Sequence, residues 1–356
     1  MLDQEILDLQ PETAAVLKDH RTRQKRKVLL LIVLAGIAVT CLFANVLAGP
    51  SSISASRLVG GLWEPGSLSA VEQVILFELR LPSACLAFLV GAALAVSGVE
   101  IQTVLDNPLA SPFTLGISSA AAFGASIAIV AGMGFPFIPV QWLVPGNAFA
   151  FAMLAIVLLQ VLNKLKGGGP QTLVLFGIAM VFAFSALLSL MQLFASAQAA
   201  QMIVFWTMGN VDQAEWVEVL VLALLIVLIF PWSFLSANRL TALRFGADRA
   251  TSLGVDVDRL RLLAQVRISL LTGMAVALTG TIAFVGLVGP HIARMLLGEN
   301  HRLLLPASAI TGAALLSAAA VVSKVLIPGV SIPVGIVTAI VGVPVFVMVI
   351  LTRTSR

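Results

Sequence analysis

The chain has 356 residues, 59% of them hydrophobic and 11% charged, with a formal net charge of +4. A soluble domain carries about a quarter charged residues, so composition excludes one and predicts an all-α polytopic membrane protein. The 21 basic residues are spread over several loops, a pattern that does not point to nucleic acid.

Ten apolar blocks follow in order, each read as a membrane span of roughly 20 residues. Residues 1–27 form a basic segment ending in Arg21, Arg23, Lys25, Arg26 and Lys27, with the charge of a cytoplasmic flank and no signal-peptide cleavage pattern. Val28–Leu47 is the first span. The others lie at about Leu81–Leu105, Pro112–Met133, Trp142–Leu162, Thr172–Ala195, Trp216–Leu235, Leu262–Ala283, Val285–Leu297, Leu303–Val325 and Pro333–Leu351. The eighth is short and is expected to begin within Thr281–Phe284. With a cytoplasmic N-terminus, ten spans put all basic residues inside except Arg57, Arg80 and Lys324, as the bias of Lys and Arg toward the cytoplasm requires. Residues 28–352 are thus the transmembrane domain and 353–356 a cytoplasmic tail. The location is a multi-pass place in the bacterial inner membrane with lipid all round.

Chemistry-bearing motifs are scarce. Cys41 and Cys85 lie in apolar blocks, so no disulfide framework is expected, and no ligand spacing suggests a metal or other cofactor. Gly167-Gly168-Gly169-Pro170 has no lysine where a phosphate-binding loop needs one and reads as a turn. The three histidines, at 20, 291 and 301, form no catalytic cluster. Ionisable or strongly polar residues within spans are Glu100, Gln102, His291 and Arg294. Glu100 either lies near the inner interface and reaches headgroups or a neighbouring helix, or faces a pore or pairs with Arg294. His291 reads as a packed, hydrogen-bonded side chain. The missing set of midplane carboxylates disfavours an ion-coupled secondary transporter. Small residues at helical spacing (Gly91, Ala95, Gly98, and Gly312 with Ala313) predict close helix packing.

The loop from Ala237 to Arg261 is the longest polar interval in the second half of the chain. Gly246, with Asp248 one turn in, opens a short helix that Gly254 closes, and Asp256 or Asp258 can cap the helix that follows. A two-turn helix buries no core of its own. It is expected either to be an ordered cytoplasmic loop or to dock on a soluble partner.

Several motifs in order carry a family resemblance. They are Arg80-Leu-Pro-Ser83, Val90-Gly-Ala-Ala-Leu-Ala-Val-Ser-Gly98, Asn107-Pro-Leu-Ala-Ser-Pro112, Ser252-Leu-Gly254, and Phe284-Val-Gly-Leu-Val-Gly-Pro-His-Ile-Ala-Arg294. Together with Ile332-Pro-Val-Gly335 they resemble the FecCD family, permease subunits of ABC importers for iron-siderophore complexes, haem and cobalamin. The likeness spans about residues 28 to 352.

That resemblance implies a type II ABC importer permease fold and no catalytic residues in this chain. It implies a second permease subunit, two cytoplasmic ATPases that bind the ATP, and an extracytoplasmic binding protein. The ATPase-coupling element would be Arg244, Gly246, Asp248, Arg249, Ser252, Leu253 and Gly254, with Arg244 and Arg249 making its ionic contacts. Asn107, Pro108 and Leu109 would form the cytoplasmic gate. Arg80 and Lys324 would pair with acids of the binding protein, or else snorkel at the outer interface. The cargo would be a ferric siderophore or similar chelate, with cobalamin or haem as the alternative. Ser83, Asp106 and Ala320 depart from the residues usual in the family at those positions.

Overall fold

The computed structural model describes residues 11–49, 51, 53–134, 139–166, 169–327 and 329–353. Residues 1–10, Gly167 and Gly168, and the tail beyond Arg353 lie outside them. The helices are α1 (Pro11–Leu47), α2 (Ala55–Trp63), α3 (Ala70–Val104), α4 (Ile117–Ala131), α5 (Leu143–Leu165), α6 (Pro170–Phe194) and α7 (Ala197–Thr207). Then come α8 (Trp216–Leu235), α9 (Ala237–Leu243), α10 (Ala247–Ser252), α11 (Val257–Thr279), α12 (Val285–Leu297), α13 (His301–Val325) and α14 (Val334–Arg353). Seven are long and apolar enough to cross a membrane, and the shorter apolar α4, α12 and α14 bring the number to ten. The expected polytopic all-α fold is what forms.

The bundle is organised around α3, which packs against α8, α11, α12 and α13. From Leu81 to Val99 its sequence is apolar or small on every side, as a helix surrounded by others must be. Glycine sets how closely those neighbours approach. A Cβ on Gly98 would lie 1.8 Å from the Gly286 carbonyl oxygen of α12, and one on Gly91 would lie 2.3 Å from that of Gly312 on α13. The three backbones therefore touch directly, where dispersion contacts replace the hydrophobic effect that lipid does not supply.

Several boundaries differ from the sequence expectation. The second span begins at Ala70, because Ser69 and Glu72 form a capping box and a π-helical segment, Val74–Arg80, carries the helix through Pro82. In that segment the Leu81 N–H reaches back five residues to Leu76, widening the helix where the proline ring would otherwise crowd the preceding turn. The third span starts at Ile117, after a 3₁₀ turn at Pro112–Leu115. The eighth starts at Val285, not within Thr281–Phe284, since Phe284 sits at φ 66 and cannot extend the helix. The eleven-residue α7 was not foreseen. No helix boundary falls at residue 27: α1 runs unbroken from its basic part into its apolar part.

A candidate coupling loop and gate

The loop after α8 folds as its punctuation suggests. Gly246 (φ 100) precedes α10, and Gly254 (φ 79) ends it. The Val255 N–H bonds to the Ala250 carbonyl at 3.0 Å and the Gly254 N–H to Thr251 at 2.9 Å, the paired closure that needs a left-handed residue. Asp256, not Asp258, caps α11 by accepting from the Arg259 N–H at 3.0 Å. Ala250 is buried and fastens α10 down, with α9 and α11 as its packing neighbours. The opposite face of α10 is open: Asp248, Arg249 and Ser252 are exposed. Flanking it, Phe245 and Leu253 are 62% and 70% exposed. Two large apolar side chains beside an arginine on a two-turn helix form a surface suited to a protein partner.

The Asn107–Leu109 turn lies at the same end of the bundle. Helix α3 stops at Val104, and Asp106 takes a left-handed conformation (φ 45). The Asn107 side-chain oxygen then accepts from the Leu109 N–H at 2.9 Å, an Asx turn that holds the residue before Pro108 out of helix.

A chain of polar contacts joins the loop to this turn. Arg244 donates to the Asp106 carboxylate at 2.9 Å and to Glu299 at 3.3 Å. Glu299 also accepts from Arg294 at 3.1 Å, and Arg294 donates to the Gln102 amide oxygen at 2.9 Å. Behind this chain the fully buried His301 bridges Thr103 (2.8 Å) and Thr241 (3.2 Å) through its two ring nitrogens. Elements 138 residues apart in sequence, at Asp106 and Arg244, are thus in direct contact.

These contacts correct several expectations. Arg244, expected as an ionic contact of the loop, is paired within the chain to Asp106 and Glu299, whereas Arg249 on α10 is exposed. Of the readings for Glu100, neither the Arg294 pair nor the headgroup holds; it reaches a neighbouring helix, α11. It is 1% exposed and accepts from Arg267 Nε at 2.9 and 3.1 Å. Arg267 was expected among the cytoplasmic loop cations, yet it is wholly buried on α11, with its guanidinium 5.1 Å from the centroid of the Trp232 ring. Bidentate-capable, weakly hydrated arginine is the cation best suited to such a place. His291 is half-buried on α12, as expected of a packed residue.

At the opposite end, Arg80 and Lys324 are buried, not free. Arg80 donates to the Leu47 carbonyl at 2.7 Å, to Val46 at 3.3 Å and to Ser51 Oγ at 2.5 Å. It therefore closes the last turn of α1, whose terminal carbonyls lack helical partners. Lys324 donates to Asn45 at 2.8 Å and Ser83 at 3.2 Å and lies 4.0 Å from Asp212. Ser83 now has a physical reason: a second arginine there would crowd a cation already tucked between α1 and α3. Arg57, the third basic residue at this end, is paired with Glu72 at 2.5 Å. Among the described residues no cluster suits a metal ion.

Comparisons with known proteins agree with this architecture. Residues 29–352 match the FecCD transport family. The vitamin B12 import system permease protein BtuC of Vibrio parahaemolyticus is 37% identical over 292 residues, 82% of this chain and 87% of its own. The Fe(3+)-citrate import system permease protein YfmE of Bacillus subtilis is 35% identical over 331 residues, 93% of this chain and 97% of its own. A solved inward-facing metal-chelate type ABC transporter superposes with a TM-score of 0.80 at 30% identity, covering 91% of this chain and 99% of the other. With ten apolar helices, an open-faced two-turn helix tied to an Asn-Pro-Leu turn, and this match along nearly its whole length, the chain belongs to the FecCD transport family and is a membrane-spanning permease of the ABC importer class.

Proposed function

We propose that the chain forms half of a channel importing a ferric siderophore or similar iron chelate. It would work with a second permease, two cytoplasmic ATPases and an extracytoplasmic binding protein. Both termini and α10 face the cytoplasm, in line with the positive charge collected there. ATP binding moves α10 through its open face, Phe245, Arg249 and Leu253. Arg244 passes that movement to Asp106, and the adjacent Asn107–Leu109 turn parts or closes, a rigid-body switch between two packed arrangements. The observation that carries this reading is the Arg244–Asp106 contact at 2.9 Å, since it ties the short connection between α9 and α10 to the residue next to the turn. The iron cargo is supported by the Fe(3+)-citrate relative; the BtuC relative makes cobalamin the second reading.

Reconstitution with the ATPase and binding protein in proteoliposomes tests this. Vanadate-sensitive uptake of radiolabelled ferric chelate, exceeding that of cobalamin and haem, is the expected result. Uptake that runs on an ion gradient with no ATPase present would overturn the class of mechanism; preferential cobalamin uptake would overturn the cargo alone.

A further inference from the structure

At the α10 end of the bundle, a cavity of about 750 Å³ opens between the end of α5, the start of α6 and the start of α11. Its wall holds three cations, Lys164, Arg259 and Arg261, against one carboxylate, Asp258. Four side-chain atoms of the lining have no hydrogen-bond partner: Gln160 Nε2, Asn163 Oδ1, Arg261 Nε and Gln265 Oε1. Gln265 is only 2% exposed, so its unpartnered amide oxygen is destabilising unless a polar ligand meets it. Its oxygen and nitrogen can exchange places by a flip, letting it donate or accept. The cavity has room for far more than a water, whose share of liquid volume is about 30 Å³.

The surroundings say which anion fits. On the outer sides of α5 and α11, Val157, Val161, Leu262 and Val266 are 57%, 52%, 47% and 36% exposed. Val161 and Leu262 line the cavity itself, and Val157 and Val266 lie one turn further along the same two spans, so an apolar track continues from the cavity away from the polar end. A free phosphate would use the cations and leave this track without an occupant. An amphiphile uses both, and basic pockets at the ends of spans are suited to anionic lipid headgroups.

We propose that this cavity holds the phosphodiester headgroup of an anionic phospholipid, with Lys164 and Arg261 on the phosphate, Gln265 on the glycerol region, and the acyl chains along Val161 and Leu262. The assignment to the inner leaflet rests on the orientation proposed above; headgroup binding does not. Because α11 follows directly from α10, a bound lipid also braces the helix into which the loop feeds.

Native mass spectrometry of the full chain, released from detergent with phosphatidylglycerol or phosphatidylcholine at equal concentration, tests the proposal without any transport assay. Retention of phosphatidylglycerol over phosphatidylcholine is expected, falling about tenfold or more in a Lys164→Gln/Arg261→Gln double variant. Gln265→Leu, whose helical content by circular dichroism verifies folding, should weaken retention in the same direction. A control, Lys25→Gln/Arg26→Gln on α1, should leave it unchanged. The proposal is overturned if the control loses as much lipid as the cavity variant, if the two lipids are held equally, or if excess inorganic phosphate displaces the bound lipid and so marks a soluble-anion site.

Discussion

The Arg244 guanidinium and the Asp106 carboxylate meet at 2.9 Å, joining the C-terminal end of α9 to the residue before Asn107. Asp106 is 72% exposed and Arg244 19%, and a solvated pair of this kind contributes only about 0.2–1 kcal/mol. Too little free energy is at stake for it to hold the fold together, and in the function proposed above its part is mechanical.

Breaking the pair should leave thermal stability nearly unchanged while uncoupling transport from ATP. Arg244→Gln or Asp106→Asn is expected to lower ATP-driven uptake several-fold with melting temperature shifted by little. The charge-swapped double variant, Arg244→Asp/Asp106→Arg, should recover part of the loss. Uptake and ATPase rate measured together on the same proteoliposomes check this; equal loss in single and swapped variants would remove the pair from the coupling route.

Phe245, Arg249 and Leu253 belong to a different surface and should fail differently. Phe245→Ser/Leu253→Ser or Arg249→Glu is expected to abolish ATPase co-purification while the permease itself stays folded. Arg244→Gln should leave co-purification intact. A pull-down with a tagged permease separates the two, and a reversed pattern would return Arg244 to the docking surface.

The Glu100–Arg267 pair predicts a stability effect of opposite character. Removing one partner leaves a charge buried among apolar helices, a cost of about 3–5 kcal/mol. Glu100→Leu or Arg267→Met alone should therefore sharply lower the melting temperature in detergent. The double variant should be far milder than the sum of the two, because no unpaired charge remains. Additive losses would mean that the two groups do not depend on each other.

At the opposite end, burial of Lys324 and Arg80 sets an expectation for the binding protein. Lys324→Gln should leave the salt dependence of binding-protein association unchanged, since a steering charge must face solvent. Arg80→Ala should instead destabilise the end of α1, where two carbonyls lose their donor. Surface plasmon resonance across a salt series, with a thermal melt on the same variants, distinguishes the two roles.

What could be read from the sequence follows the range of the forces involved. The loop at 246–254 was legible because glycine and aspartate act within one or two turns of themselves. Gly91 and Gly98 were legible as packing surfaces, though not as partners of Gly312 and Gly286. The Glu100–Arg267 and Asp106–Arg244 pairs were not, because each joins residues far apart in the chain, 167 and 138 positions respectively. One signal was present for Arg267, which lies five residues inside the apolar block that begins at Leu262, so grouping it with the loop cations contradicted the span assignment itself. Arg80 and Lys324 read from sequence as docking or snorkelling cations because the groups that hold them, the carbonyls of Val46 and Leu47 and the side chain of Asn45, become partners only once α1 stands beside α3 and α13.

The buried pairing of Glu100 with Arg267 also constrains how the polypeptide is put into the bilayer. Helix α3 emerges from the ribosome well before α11 exists, so for that interval its carboxyl group has no counterion and must stay neutral or linger where water reaches it. Only when α11 arrives can both groups settle at full depth. The central helix of the finished bundle is thus the one whose final seating waits longest for its electrostatic partner, and maturation of the amino-terminal half is held open until more than two thirds of the polypeptide has been made.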